Sequence, residues 1–177
     1  PNKKPYFLYV GNAYPHKNLE FLMKSFGSFI IRHPNYELVF VGKNDFFYAR
    51  LKKWVLQFPW ATQIKFVESV SDEQLAAYYA HATAFVFPSH MEGFGLPALE
   101  AIGFGVPVVV SDIPVFHELF STIPLYFDPR KEESLVTVLE TVTAGKKKQM
   151  DDSEKKLISK YQWENTAKET LRVYTSV

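Results

Sequence analysis

The chain has 177 residues, 47% hydrophobic and 16% aromatic, a size at which one domain buries about 70% of its unfolded surface. Its 20 basic and 19 acidic side chains leave a net charge of +1, with no basic excess for a dedicated nucleic-acid binder. The lack of cysteine excludes disulfides and cysteine zinc sites and fits a reducing, cytoplasmic compartment, and no stretch reads as a signal peptide or membrane span.

The first strand is expected at Tyr6–Val10 and runs into Gly11-Asn12-Ala13-Tyr14-Pro15-His16-Lys17-Asn18, with a helix over 18–32. Lys17 at the helix start offers a point charge, and a solvated turn lysine is the plain alternative. A second strand, Glu37–Val41, ends at Gly42 and Lys43, the latter another candidate cation. The helix over 45–57 carries Phe47, Leu51, Trp54 or Val55 and Phe58 at helical spacing, which reads as core. Lys52 and Lys53 on its other side admit peripheral contact with an anionic membrane or lipid acceptor.

A third strand, Gln63–Val67, precedes a helix over 72–81, and a fourth, Ala84–Phe87, ends at Pro88-Ser89-His90. Helices over 96–104, 115–120 and 131–144 alternate with strands Pro107–Val110 and Leu125–Phe127, and one or two helices fall between 152 and 175. Lys146-Lys147-Lys148 reads as an exposed connection. Strand–helix alternation with apolar strands predicts an α/β fold: a Rossmann-like parallel sheet with helices on both faces. Ligands of such sheets bind beyond the carboxyl ends of the strands. Gly11, Gly42 and Ser89 all follow strand ends, so their loops converge on one edge.

On that edge stands Glu92-Gly93-Phe94-Gly95-Leu96-Pro97-Ala98-Leu99-Glu100, between the fourth strand and its helix. Free N–H groups and the positive end of the helix dipole suit an anion there. Pro97 fits the first helical turn, because its missing N–H had no partner to lose. A carboxylate beside a phosphate site makes sense only if it binds another part of the same ligand. Glu100 lies about one turn deeper, roughly 6 Å from the helix start, where it can accept both hydroxyls of a ribose. Glu92 lies on the other side of the turn, where a second sugar has room. The order sugar, diphosphate, ribose describes a nucleotide-sugar. Spacing alone is weak: Glu132 and Glu140 are also eight apart and read as a solvated helix face.

Other nucleotide motifs are missing. Nothing fits G-x-G-x-x-G after the first strand, nor G-x-x-x-x-G-K-S/T. His33, His81, His90 and His117 show no paired metal spacing, so no metal site is expected; His90 stands out only because it adjoins Glu92. Asp151-Asp152 reads as a charged surface segment.

The E-G-F-G-L-P-x-L-E segment, followed by Ala101-x-Gly103-x-Gly105-x-Pro107-Val108-Val109, resembles the donor-binding half of family 4 glycosyltransferases, retaining enzymes of the GT-B fold. The likeness extends to Tyr9-Val10-Gly11 with Pro15-x-Lys17-Asn18-Leu19, to Leu38-Val39-Phe40-Val41-Gly42, to Val70-Ser71-Asp72-Glu73-Gln74-Leu75 with Tyr78-Tyr79, and to Tyr161-x-Trp163-Glu164-x-Thr166-Ala167. It implies one nucleotide-sugar-binding domain over 1–177, with an N-terminal acceptor domain absent. The opening at Pro1, without methionine, reads as a piece excised from something longer.

By the same resemblance, Lys17 aligns with the family's phosphate-binding lysine, and the diphosphate falls to it together with Gly11, Asn12, His16, Gly93, Phe94, Gly95 and Leu96. Asn12 stands where many relatives carry a second cation, an arginine. Glu92 is the expected catalytic residue, facing the transferred sugar, and Glu100 is the expected ribose ligand. Val67 and Val70, at the end of a strand beside the cleft, are base-pocket candidates. No cofactor is expected beyond the substrate, a hexose on a nucleoside diphosphate. The Pro15–Asn18 run favours GDP-mannose over UDP-hexoses, and the acceptor is a glycan or lipid-linked glycan at the inner face of a membrane. The alternatives are a non-catalytic nucleotide-binding or partner module, for which Asn12 speaks, and a nucleotide-sugar epimerase on the same fold.

Overall fold

The computed structural model describes residues 4–145 and 150–176, so the triple-lysine connection lies outside the described residues. Six parallel strands form one sheet: β1 (Tyr6–Val10), β2 (Glu37–Val41), β3 (Ile64–Val67), β4 (Ala84–Phe87), β5 (Val108–Ser111) and β6 (Leu125–Phe127), in the order β3-β2-β1-β4-β5-β6. β2, β4 and β5 are buried along their whole length, as apolar strands covered on both faces must be. At the two edges, β3 and β6 are partly exposed.

Among the described residues, eight α-helices connect and follow the strands: α1 (Leu19–Ile30), α2 (Phe46–Val55), α3 (Asp72–His81), α4 (Leu96–Gly103), α5 (Pro114–Phe120), α6 (Glu132–Ala144), α7 (Asp152–Lys160) and α8 (Trp163–Thr175). The chain winds outward from β1 to β3, then returns to β4 on the other side of β1. Right-handed crossovers in these two directions put helices on opposite faces. Thus α1 packs with α6 on one side, and α4 with α7 on the other. Local signals start several helices. Asp45 caps α2 by accepting from Tyr48 N–H at 3.0 Å, and Ser71 with Gln74 forms a reciprocal cap on α3.

Two expectations shift. α2 buries Leu51 and Val55 as the spacing predicts, together with Tyr48, while Phe47 and Trp54 are half-buried against the core and Phe46 is exposed. Phe58 lies beyond the helix, where it stacks on Trp60 at 4.6 Å and meets Trp54 at a tilt at 4.7 Å. The basic face is also weaker than two free lysines: Lys52 is tied to Glu68 and reaches Asn44 at 3.3 Å, which leaves Lys53. Among the described residues, no helix is long and apolar enough to cross a membrane.

A candidate ligand site where the strand order reverses

In a parallel sheet wound in two directions, the crevice beyond the carboxyl ends opens where the winding changes. Here that point lies between β1 and β4, and the Gly11–Asn18 and Pro88–Gly95 loops rise side by side from it. They are joined directly, since His90 N–H donates to the His16 carbonyl at 2.8 Å. The loop after β2 belongs to the same edge: Gly11 N–H donates to Val41 O and Gly42 N–H to Val67 O. A Cβ on Gly42 would lie 2.3 Å from the Gly11 carbonyl, so only glycine lets these loops approach.

Two buried tyrosines hold the first loop from below. Tyr9 Oη donates to the Asn12 carbonyl at 2.7 Å, and Tyr48 Oη donates to the Gly11 carbonyl at 2.8 Å. Burial is the main reason both phenols stay protonated far into the alkaline range, with Tyr48 and Glu92 adding to it at Tyr9 and Asp45 at Tyr48. Asn12 itself turns away from this scaffold; its Oδ1 accepts from Tyr14 N–H at 3.4 Å, a turn-forming contact on the surface.

Lys17 closes a short 3₁₀ turn, Pro15–Lys17, rather than opening α1, and Asn18 follows it in a left-handed conformation. From there the Lys17 ammonium reaches across to the loop after β4 and donates to Glu92 Oε1 at 2.6 Å. The same oxygen accepts from Ser89 Oγ at 2.7 Å. The pair is largely shielded, at 13% and 9% side-chain exposure, and the ammonium also lies 5.3 Å from the centre of the Phe87 ring. So the cation expected on a diphosphate and the carboxylate expected on a sugar touch one another. They meet because β1 and β4 are neighbours in the sheet, a pairing invisible along the chain.

Glycine then supplies the turn into α4. Gly95 caps the helix at φ +99°, a conformation that L side chains rarely adopt, and a Cβ there would press on Phe116 at 3.0 Å. Gly93 faces open space. Among the described residues, the N–H groups of Gly93, Phe94, Gly95 and Leu96 donate no hydrogen bond, so four donors stand at the positive end of α4.

Glu100 occupies a different environment. Its side chain lies on the exposed flank of α4, with Oε2 accepting from Tyr79 Oη at 2.8 Å. It borders a pocket of about 770 Å³ that Phe94, Leu96, Tyr161 and Trp163 also line. Val67 and Val70 line a separate depression of about 520 Å³ together with Gln74 and Tyr78. Tyr78 and Tyr79 are consecutive on α3, so that helix stands between the two.

The remaining candidates are structural or superficial. His33 stacks on Phe29 at 4.3 Å, His81 contacts the Ala77 carbonyl, and His117 pairs with Asp112 at 2.6 Å. Asp151 caps α7, and Glu140 pairs with Arg32. Among the described residues, no three His, Cys, Asp or Glu side chains are grouped to hold a metal ion. Sequence reasoning assigned no role to Ser89, Tyr9, Tyr48 or Tyr79. Tyr79 was visible as part of the Tyr78-Tyr79 landmark, and Ser89 as a strand-end residue three before Glu92.

Comparison with known proteins places this arrangement. The family described as "Glycosyl transferases group 1" matches residues 1–158. O-antigen chain mannosyltransferase RfbU of Salmonella typhimurium is 36% identical over 141 residues, 79% of this chain and 39% of that protein. O-antigen chain mannosyltransferase B of Escherichia coli is 30% identical over 183 residues, 96% of this chain and 45% of that protein. The chain thus spans less than half the length of either relative. Among solved structures, sucrose-phosphate synthase from Thermosynechococcus elongatus superposes with a TM-score of 0.86 over 99% of this chain and 46% of its own, at 24% identity. The lipopolysaccharide outer core galactosyltransferase WaaB superposes with a TM-score of 0.74 over 99% and 50%, at 18% identity. These two likenesses concern the fold.

Proposed function

This chain belongs to the glycosyl transferases group 1 family, and from that premise we propose that it is the donor-binding half of a retaining, family 4 hexosyltransferase. In this reading a nucleoside diphosphate-sugar lies in the crevice between β1 and β4. The observation that carries it is the Lys17–Glu92 contact beside the four unpaired amides of Gly93–Leu96, at the point where the strand order reverses.

The diphosphate accepts hydrogen bonds from those amides, and its charge is favoured by the α4 dipole. A lysine ammonium has three N–H donors, so Lys17 can keep Glu92 and still donate to a phosphate oxygen. As the bond from the anomeric carbon to the diphosphate breaks, negative charge gathers on the leaving oxygens. In this reading Lys17 and the amides face those oxygens, and fixed donors stabilise developing charge without reorganising. Glu92, held by Lys17 and Ser89, faces the opposite charge that develops at the sugar. Gly11, Asn12 and His16 border the phosphates, Glu100 holds the ribose, and Val67 with Val70 line the base.

The mannosyltransferase relatives and the Pro15–Asn18 run favour GDP-mannose as donor. By the same analogy the acceptor is a growing glycan, lipid-linked at the cytoplasmic face of a membrane. An acceptor-binding domain would close over the crevice, so this chain alone is expected to bind donor without transferring it. A thermal-shift panel of GDP-, UDP- and ADP-sugars tests the reading. Stabilisation by one of them, growing with concentration as linkage requires, supports it, and no shift with any of them ends it. Measurable transfer to an acceptor by this chain alone would contradict the division of labour.

A further inference from the structure

We propose that Tyr79 is a positioning residue, which holds the Glu100 carboxylate in the one orientation that can accept both hydroxyls of a ribose. This rests on reading Glu100 as the ribose ligand. The two acids of the glycine motif are supported differently. Glu92 has a cation and a hydroxyl on one oxygen, whereas among the described residues the only hydrogen bond to the Glu100 carboxylate comes from Tyr79.

Tyr79 is suited to the task because it cannot move. Its ring is 1% exposed, lies parallel to Phe104 at 5.4 Å and packs on Phe85 of β4 at 5.8 Å. Its hydroxyl lies 2.8 Å from Glu100 Oε2. Burial foremost, then the Glu100 charge, keeps the phenol protonated, so it always donates and the carboxylate always accepts.

The carboxylate needs such a guide. A glutamate on an exposed helical flank has rotamer freedom to lose on binding a ligand. The bond to Tyr79 removes part of that freedom in advance. It also uses only one lone pair of Oε2, which leaves Oε1 and the rest of Oε2 for two incoming hydroxyls. A rigid core residue thereby sets the angle of a surface acid, and preorganisation of this kind raises affinity without adding a contact to the ligand.

The test compares the tightest-binding of UDP, GDP and ADP with its 2′,3′-dideoxy counterpart, by calorimetry, on wild-type chain, Glu100→Ala and Tyr79→Phe. Phenylalanine keeps the ring and its packing, so the fold is retained. Wild type should prefer the ribonucleotide by tenfold or more, roughly what hydrogen bonds to a charged acceptor supply. Glu100→Ala should abolish that preference, and Tyr79→Phe should cut it by about three- to tenfold while leaving dideoxynucleotide affinity unchanged. If Glu100→Ala loses the preference but Tyr79→Phe keeps it, or weakens both nucleotides equally, the role assigned to Tyr79 is overturned and the ribose assignment stands. If wild type shows no preference, or Glu100→Ala retains it, the ribose assignment falls and this inference with it.

Discussion

Glu92 and Glu100 bracket one short motif, yet the protein treats its two ends in opposite ways. The loop end is dense: Glu92 is shielded, bound to Lys17 and Ser89, and underlain by Tyr9 and Tyr48, which fasten the neighbouring loop. The helical end is open: Glu100 stands on an exposed flank, and among the described residues its carboxylate has one hydrogen bond, from Tyr79. A partly buried ion pair is coupled to the fold, because removing one partner strands the other's charge away from water. An exposed acid with a single anchor is coupled to its ligand instead. The loop end should therefore respond to mutation mainly in stability, and the helical end mainly in binding.

The largest effect should touch both ends alike. Burial raises the tyrosine beneath the loop end, Tyr9, and the one beneath the helical end, Tyr79, above the ordinary value of 10.0, and Tyr6 up to about 12. A raised phenol pKa leaves stability intact below pH 10, where both states are protonated. Between pH 10 and the folded-state value only the unfolded chain ionises, so each such tyrosine removes about 1.4 kcal/mol per pH unit. Urea unfolding at pH 8, 9 and 11.5 should show little loss over the first step and a steep one over the second. Tyrosinate absorbance should rise together with unfolding rather than before it.

Next comes the test that separates the ends. Lys17→Met should destabilise by about 2–3 kcal/mol, and adding Glu92→Gln should recover part of that, because the stranded carboxylate is gone. Equal costs for the single and double variants would mean that the pair is not coupled to the fold. Glu100→Ala should cost only about 1 kcal/mol or less in stability, while nucleoside diphosphate binding weakens by about 1–3 kcal/mol. A stability loss at Glu100 as large as that at Lys17 would erase the contrast.

The smallest effects divide the glycines. Gly95→Ala forces a side chain into a left-handed conformation and onto Phe116, and should cost about 1–2 kcal/mol in urea unfolding. Gly93→Ala meets nothing within 4 Å and should stay within about 0.5 kcal/mol. If Gly93→Ala weakens nucleotide binding all the same, the open space above it is where the ligand lies.

Much of this was written locally along the chain. Apolar runs of four or five residues followed by helical periodicity located all six strands to within one residue, and the cap at Ser71 began α3 where expected. The glycine turn, the proline inside the first turn of α4 and the acid one turn deeper are likewise local, because dihedral preference and helical rise act between near neighbours. Tertiary structure alone decided what those residues touch. Strand order set β1 beside β4, which turned Lys17 and Glu92, 75 residues apart, into a contact pair. The fold brought the buried Tyr79 phenol of α3 to Glu100 of α4, and it made Tyr48 of α2, a residue outside the expected stripe, the loop's anchor. Such contacts depend on which strands become neighbours and on how side chains fill the space between layers, and neither is encoded in any one segment.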